Sequence, residues 1–311
     1  MDAILERILT AAGDAALLEK LLAMPKADLN TLLLKLFQMR AEALAPGDML
    51  KAHQTNRFTR PSQLNPGAYH LLAHRLLELG EAIGIQSKLL SPAAPLGSCA
   101  AFGCVSQNNV VSALRGTEIL SDPTNMLAVL FAEQLARKEI DNREPLHYCT
   151  AARVLRAQKF PDIPGMYSHF GLFCMVSSGK DRGSYACETA MLVKHIAYYQ
   201  KLFLEQFQAQ LSVVVRKRGG YTDGQGFWDR MVERIAAQLP GVPLDFDWSG
   251  EGNHYYQGIN FKLYITKEDE KVEVGDGGFV NWLQSMTGNP KERCLISGVG
   301  IDRLIVWLGA G

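Results

Sequence analysis

The sequence lacks a net charge, long apolar runs and an N-terminal export signal. Its 32 basic and 32 acidic side chains cancel at pH 7, which argues against a surface dominated by contacts to a nucleic-acid backbone. No apolar run reaches the roughly 18 residues that a membrane-spanning helix needs. The N-terminus carries an acidic Asp2 and no basic segment, unlike a secretory signal. We therefore expect a cytoplasmic protein without a membrane partner.

Cysteine is also sparse, and its six positions show no C-x-x-C spacing. Buried free thiols in a reducing compartment account for this pattern, and we predict no metal site. A zinc site that draws on Cys149, Cys174 and Cys187 is an open alternative. His70 and His74 lie four residues apart and could share a helix face, but a metal ion would need a third ligand.

The remaining composition is that of an ordinary globular protein. The chain has 311 residues, of which 47% are hydrophobic and 21% are charged. A chain of this length buries roughly three quarters of the surface that its unfolded form exposes, so it needs no covalent staples. The length fits two domains, or one large domain with a small appendage.

Helical periodicity opens the chain. Apolar residues at helical spacing predict a helical hairpin over residues 1–45, interrupted at Pro25. Residues 46–67 are rich in proline and glycine and predict a loop-rich connection. We therefore divide the chain into an N-terminal helical extension, residues 1–48, and a core, residues 49–311.

The core alternates between helices and strands without an internal repeat. Helices are predicted over residues 69–84, 122–138, 184–211, 226–238 and 301–308. Strands are predicted over residues 86–90, 147–156, 169–177, 213–216, 255–265, 271–274 and 295–298. This order predicts an α+β fold, with antiparallel strands and helices on one face, rather than a doubly wound sheet. In the helix predicted over residues 184–211, we expect His195 to lie at the surface.

Two segments could hold phosphate. The first is a strand that ends at Arg156, followed by a loop and a return strand with Phe170. A guanidinium grips phosphate oxygens in a fixed geometry, and an aromatic ring on the return strand can stack a base. The second is the G-x-G-x-D-R run of Gly298, Gly300 and Arg303, at a strand-to-helix junction. Glycines there let the backbone approach a ligand.

A third segment joins adjacent tyrosines to a pair of glycines. Tyr255 and Tyr256 lie in a predicted strand, where neighbouring side chains point to opposite faces, so one of them could line a pocket. Gly277 and Gly278 permit close approach of a ligand or of another strand.

Together, these segments resemble the catalytic core of class II aminoacyl-tRNA synthetases, and within that class the histidyl branch. Residues 69–92 resemble motif 1, Arg156 with its return strand resembles motif 2, and residues 298–303 resemble motif 3. Residues 255–261 resemble the histidyl signature Y-Y-T-G-x-x-F-E, and the glycine pair at 277–278 resembles the following G-G-R-Y-D. The motifs occur in the family's order.

The resemblance implies an antiparallel sheet flanked by helices, a homodimer built through motif 1, and ATP with Mg²⁺ bound across the sheet. It assigns Arg156 to the α-phosphate and Arg303 to the γ-phosphate, as the catalytic pair. It implies ATP contacts from Arg156, Gln158, Tyr167, Phe170, Gly298, Gly300 and Arg303. It implies contacts to an acid substrate from Glu118, Asp122, Thr124, His169, Glu251, Tyr255, Tyr256, Gly258, Gly277 and Gly278. For Asp122, capping of a helix is an equal alternative.

Departures from the histidyl pattern argue against histidine as the substrate. Glu251 stands where R-G-L-D-Y-Y-T-G has its arginine, and Phe279 replaces the arginine of G-G-R-Y-D. His169 and Phe173 stand where the family has a glutamine and a carboxylate, and Gln158 replaces the acid of R-x-E. Loss of one preorganised donor typically costs about 10²–10³ in rate. A different amino or carboxylic acid is therefore expected.

Two functions remain open. The chain ends soon after Arg303, where histidyl enzymes continue into an anticodon-binding domain, and with zero net charge this predicts no tRNA partner. The first function is an ATP-dependent ligase that activates a small amino or carboxylic acid. The second is a non-catalytic regulatory paralogue with a protein partner, like the regulatory subunit of ATP phosphoribosyltransferase. We favour the ligase because both Arg156 and Arg303 are present.

Overall fold

A computed structural model of the protein describes residues 2–161, 166–249, 255–267 and 270–309. The helices are α1 (Asp2–Ala12), α2 (Leu17–Leu22), α3 (Lys26–Glu42), α4 (Pro46–Thr55), α5 (Pro66–Ala82), α6 (Pro123–Ala136), α7 (Ala186–Phe207), α8 (Gly224–Gln238), α9 (Trp282–Thr287) and α10 (Ile301–Leu308). The strands are β1 (Gln86–Ser87), β2 (Ala93–Pro95), β3 (Thr117–Ile119), β4 (Leu146–Leu155), β5 (His169–Lys180), β6 (Leu211–Lys217), β7 (Leu244–Asp247), β8 (Gln257–Lys267), β9 (Glu270–Val280) and β10 (Glu292–Gly300).

Eight strands form one sheet in the order β1-β4-β5-β10-β9-β8-β6-β7. The six central strands are antiparallel to their neighbours, and the edge strands β1 and β7 pair in parallel. The α+β class is therefore confirmed. Tyr255 and Tyr256 precede β8 rather than lying in it, so the prediction that a strand presents them on opposite faces was wrong.

Helices cover both faces of the sheet, which corrects the prediction of helices on one face. Helices α5, α7, α8 and α10 bury a large apolar core against one face, which includes Trp228 and Tyr198. Helices α6 and α9 pack on part of the opposite face, with Phe131 stacked on Tyr148 of β4. The rest of that opposite face stays open and carries the cavity described below.

Local chemistry sets where two of these helices begin. Asn65 precedes Pro66 and accepts a hydrogen bond from Ala68 N, and Asp122 precedes Pro123 and accepts one from Thr124 N. A polar cap followed by proline in the first turn is a strong start signal.

The N-terminal extension is helical beyond its expected end. The prediction of a loop over residues 46–67 was wrong in its first part, because α4 occupies Pro46–Thr55 and crosses the expected boundary at residue 48. Pro46 fits this helix because the first turn needs no N–H from it. Helices α2, α3 and α4 contain no buried residue, and Leu22 is 72% exposed.

His195 is fully buried, so the prediction that it lies at the surface was wrong. It belongs to a buried histidine chain between the sheet and α7. His147 Nδ1 lies 2.6 Å from Ser177 Oγ, which lies 2.7 Å from His195 Nε2. His195 Nδ1 lies 2.8 Å from Ser297 Oγ, which lies 3.0 Å from Tyr199 Oη. The hydroxyl groups satisfy the ring nitrogens and make burial of the histidine tolerable.

Five of the six cysteines are buried as free thiols, and Cys104 is exposed. Within the described ranges, no three His, Cys, Asp or Glu side chains are grouped to hold a metal ion. None of the described helices is long and apolar enough to span a bilayer.

Candidate functional site

The open face of the sheet carries a cavity of about 270 Å³. Cross-strand pairing builds its floor, since Asp276 of β9, Gly298 of β10 and Cys174 of β5 lie in one row. A Cβ on Gly298 would lie 3.2 Å from Cys174 Sγ and would fill the middle of that row. Of the residues singled out in the sequence, those that line this first chamber are Asp122, Thr124, Arg156, Tyr167, Phe170, Tyr255, Tyr256, Gly298, Gly300 and Arg303.

Arg156 immediately follows β4, and hydrogen bonds fix both its backbone and its side chain. Its Nε donates to Ser121 O at 3.1 Å, and its guanidinium carbon lies 5.3 Å from the centre of the Phe170 ring. Its two terminal nitrogens have no hydrogen-bond partner among the described residues. The structure therefore presents a fixed cation with donors left for an anion.

Arg303 lies in the first turn of α10, at the end of β10. Its Nη2 donates to Glu273 O at 3.3 Å, and its guanidinium lies 4.4 Å from the centre of the Trp307 ring. Its Nε is buried and has no hydrogen-bond partner in the described part of the chain. Burial lowers the pKa of this guanidinium. An orphaned donor on a desolvated cation favours an anionic ligand.

A second chamber of about 360 Å³ adjoins the first and shares part of its wall. Residues common to both chambers are Asp122, Arg156, Tyr255, Tyr256 and Asp276. Residues that line only the second chamber are Cys99, Val105, Asn109, Ser121 and Gln158. The two chambers together could hold a two-part ligand, with Arg156 at their boundary.

Asp122 both caps α6 and faces the two chambers, so the two sequence-level alternatives for this residue coexist. Its Oδ1 accepts hydrogen bonds from Thr124 N at 3.0 Å and from Thr124 Oγ1 at 2.7 Å. The other carboxylate oxygen has no hydrogen-bond partner among the described residues.

Asp276 is a cavity residue to which sequence reasoning assigned no role. Its carboxylate accepts a hydrogen bond from Tyr256 Oη at 3.1 Å, and the residue is exposed where it lines the two chambers. Desolvation by the surrounding protein atoms raises the pKa of this carboxyl group. In the sequence, this acid only precedes the Gly277-Gly278 pair, and that position does not indicate which way its side chain points.

Glu118 does not line either chamber but holds a wall of the second. Its carboxylate is fully buried and accepts hydrogen bonds from Gly97 N at 2.7 Å, Ser98 Oγ at 2.6 Å and Gln107 Nε2 at 2.9 Å. These bonds tie down the segment that carries Cys99 and Val105. Glu118 therefore stabilises the wall of the second chamber without lining the chamber itself.

His169 also lies away from both chambers. Its Nδ1 is 2.8 Å from Arg153 Nη2, and its Nε2 is 2.6 Å from Arg60 O. Because side chains alternate along β5, Phe173 shares its face and stacks on Tyr198, with ring centres 5.1 Å apart. Departures from the family pattern at these two positions therefore do not alter the described cavity wall, whose β5 residues are Phe170, Leu172 and Cys174.

The remaining glycines of the expected substrate site have packing roles and do not line either chamber. A Cβ on Gly278 would lie 2.5 Å from Cδ1 of Tyr256, so glycine lets that ring rest on β9. Gly258 has a φ of +65°, and a Cβ there would lie 2.5 Å from Phe227. Gly277 is equally crowded, with Ile296 O at 2.5 Å. Glu251 lies outside the described residues.

Arg57, which follows α4, forms a strap that holds both ends of the loop at the cavity's edge. Arg57 donates from Nη1 to Gln158 O at 2.9 Å and to Ser168 Oγ at 2.6 Å, and from Nη2 to Ala157 O. One guanidinium thus bridges the start and the end of the loop that contains Phe160 and Tyr167.

We expect Arg57→Ala to lower the free energy of unfolding by about 2 kcal/mol, because three charge-assisted hydrogen bonds are lost and their acceptors become hydrated. The loosened loop should be cleaved by trypsin after the exposed Lys159 roughly tenfold faster. Urea unfolding and timed digestion measure the two effects. Arg60→Ala is the matched control, since only its backbone carbonyl is bonded among described residues. Equal digestion rates for the two variants would refute the strap.

Comparison with solved structures finds proteins of the same architecture. An ATP phosphoribosyltransferase regulatory subunit/histidyl-tRNA synthetase from Bacillus halodurans matches with a TM-score of 0.62 and 14% identity, over 81% of this chain and 83% of that one. Histidyl-tRNA synthetase from S. aureus matches with a TM-score of 0.59 and 17% identity, over 80% and 69%. The enzyme of the same name from Nostoc sp. matches with a TM-score of 0.61 and 11% identity, over 82% and 75%.

No protein-family model and no curated protein matches the sequence. At identities of 11% to 17%, the structural similarity establishes the fold alone. The chain has the fold of the class II aminoacyl-tRNA synthetase catalytic core, as the sequence motifs implied.

Proposed function

We propose that the protein is an ATP-dependent ligase that activates an amino acid or another small carboxylic acid. The observation that carries this proposal is the pair Arg156 and Arg303, which line one cavity and both keep guanidinium N–H donors unpartnered among the described residues. Arginine binds phosphate oxygens through several fixed donors, so two such side chains in one cavity suit a polyphosphate.

The first chamber fits a nucleotide in its shape and in its chemistry. Gly298 and Gly300 leave the floor clear of side chains, and Phe170 offers a ring against which a base can stack. The carboxylate of Glu273 lines this chamber and is paired through Oε2 with Lys262 Nζ at 2.7 Å, so Oε1 is the oxygen that it would offer to a Mg²⁺ ion bound together with phosphates. When bound, Mg²⁺ would offset phosphate charge and orient the leaving pyrophosphate.

The second chamber fits the acid substrate. Arg156 stands between the chambers, where it can hold the α-phosphate next to the substrate carboxylate and stabilise the charge that develops there. Asp122 can receive an amino group. In the proposed reaction, a carboxylate oxygen bonds to the α-phosphorus while the bond to pyrophosphate breaks.

Assembly and organisation belong to the same proposal. We place a homodimer contact on α5, which exposes Leu71 to 50%, and a separate helical extension before residue 49. We do not include tRNA, because the net charge is zero.

The decisive measurement is ATP–pyrophosphate exchange with Mg²⁺ over a panel of amino and carboxylic acids, alongside calorimetric titration of MgATP. We expect exchange with one chemical class of acid and binding of MgATP. Absence of both would reject the ligase and favour the regulatory function, which the structural similarity to an ATP phosphoribosyltransferase regulatory subunit/histidyl-tRNA synthetase also supports.

A further inference from the structure

The second chamber is lined by two carboxylates and by one guanidinium, that of Arg156. Asp122 lies at the start of α6 and Asp276 lies on β9, and both line this chamber. They are close enough that the charge of Asp122 contributes to the raised pKa of Asp276, although burial is the larger cause. Neither forms an ion pair with any described residue.

The cationic side chains near Asp122 and Asp276 have other partners. Lys262 is the cross-strand partner of Asp276, but its Nζ lies 2.7 Å from Glu273 Oε2. Arg153 lies 3.5 Å from Asp302, which lines the first chamber but not the second. Arg156 reaches the chamber, and in the proposed function it serves the α-phosphate.

The uncharged part of the chamber wall suits a carbon chain. Val105, Cys99 and the ring of Tyr255 supply apolar surface on the same chamber as the two carboxylates. Side chains that end in an amine bury their methylene groups on such surface and keep the charged end on a polar partner.

From these observations we infer that the acid substrate is a diamino acid, an amino acid whose side chain ends in a second ammonium group. Asp122 receives the α-ammonium group, and Asp276, held by Tyr256 Oη, receives the side-chain ammonium group. The inference rests on the proposed function for the identity of the site, and it adds the substrate class and makes Asp276 the specificity-determining residue.

Binding and exchange should be measured separately. Calorimetry compares L-lysine, L-ornithine and L-2,4-diaminobutyrate with L-norleucine, which has the length of lysine without the second amine. We expect one of the diamino acids to bind at least roughly 30-fold more tightly than norleucine, the size of one charge-assisted hydrogen bond. Asp276→Asn should remove that preference.

Two further variants guard against misfolding. Tyr256→Phe removes only the hydroxyl donor and should weaken diamino acid binding by less than Asp276→Asn does. Asp245→Asn changes an exposed carboxylate on β7 and should leave all binding unchanged. Thermal unfolding confirms that each variant is folded.

The outcomes separate the inference from the proposed function. Preferred binding of a diamino acid that depends on Asp276 supports the inference even if no exchange occurs, in which case only the ligase fails. Exchange with norleucine or an acidic amino acid, and none with the diamino acids, overturns the inference and leaves the ligase intact. Binding of Mg²⁺ alone that Asp276→Asn abolishes, without competition from a diamino acid, overturns it in favour of a cation site.

Discussion

Replacing Arg303 by alanine is expected to lower ATP–pyrophosphate exchange by a factor of about 10²–10³ and to abolish the thermal stabilisation by MgATP. The guanidinium is half-buried beside Trp307, and its Nε has no hydrogen-bond partner among the described residues. A preorganised cation of this kind needs no rearrangement when a phosphate binds. Its removal therefore costs the whole of its contribution to phosphate binding. Exchange rates and melting temperatures with and without MgATP measure the effect.

Matched variants make this result interpretable. Arg303→Lys keeps the charge but loses the fork of donors, so we expect partial activity. Arg156→Ala should lose the response to MgATP as well. Arg137→Ala, which breaks only exposed ion pairs with Glu133 and Glu139, should behave like the parent. If both cavity variants respond to MgATP as the parent does, the nucleotide site is refuted.

Acidification from pH 7 to pH 5 is expected to lower the free energy of unfolding by about 4 kcal/mol through the buried histidine chain. Burial lowers the pKa of His147 to about 4 and that of His195 well below its usual value, and Lys194 adds to both effects. Unfolded histidine has a pKa of about 6.5. Between these values the unfolded chain binds protons that the folded chain does not, so stability falls as the pH falls, by about 2 kcal/mol for each histidine.

Urea unfolding at both pH values tests this expectation. The double variant His147→Gln/His195→Gln should be less stable at pH 7, because it disturbs the hydrogen bonds to Ser177 and Ser297. Its further loss on acidification should shrink by about 4 kcal/mol compared with the parent. His74→Gln, on the exposed face of α5, is the control and should keep the parent's slope. If the double variant loses as much unfolding free energy on acidification as the parent does, the two histidines are not the cause of the pH dependence.

Local sequence signals accounted for much of the fold. The cap before Pro123 and the periodicity of apolar residues predicted most core helices and strands, because capping and periodicity depend on neighbours in the chain. The same signals missed α4, since proline and glycine at Pro46 and Gly47 also suit the first turn of a helix.

The candidate site was predictable only in part. The strand end at Arg156 and the junction at Arg303 were visible because each motif is contiguous in sequence, and the structure brings both to one cavity. The orientation of His169 and the place of Asp276 were not visible. Strand register decides which face a side chain takes, and a shift of one residue reverses it.

The sequence by itself determined most of the element types, their order and the three motif segments, since these follow from short-range chemistry. Tertiary structure alone decided that His195 is buried, that Glu118 supports a wall, and that Asp122 and Asp276 share a chamber. Each of these facts depends on residues far apart in the chain, which meet only when strands pair and helices pack.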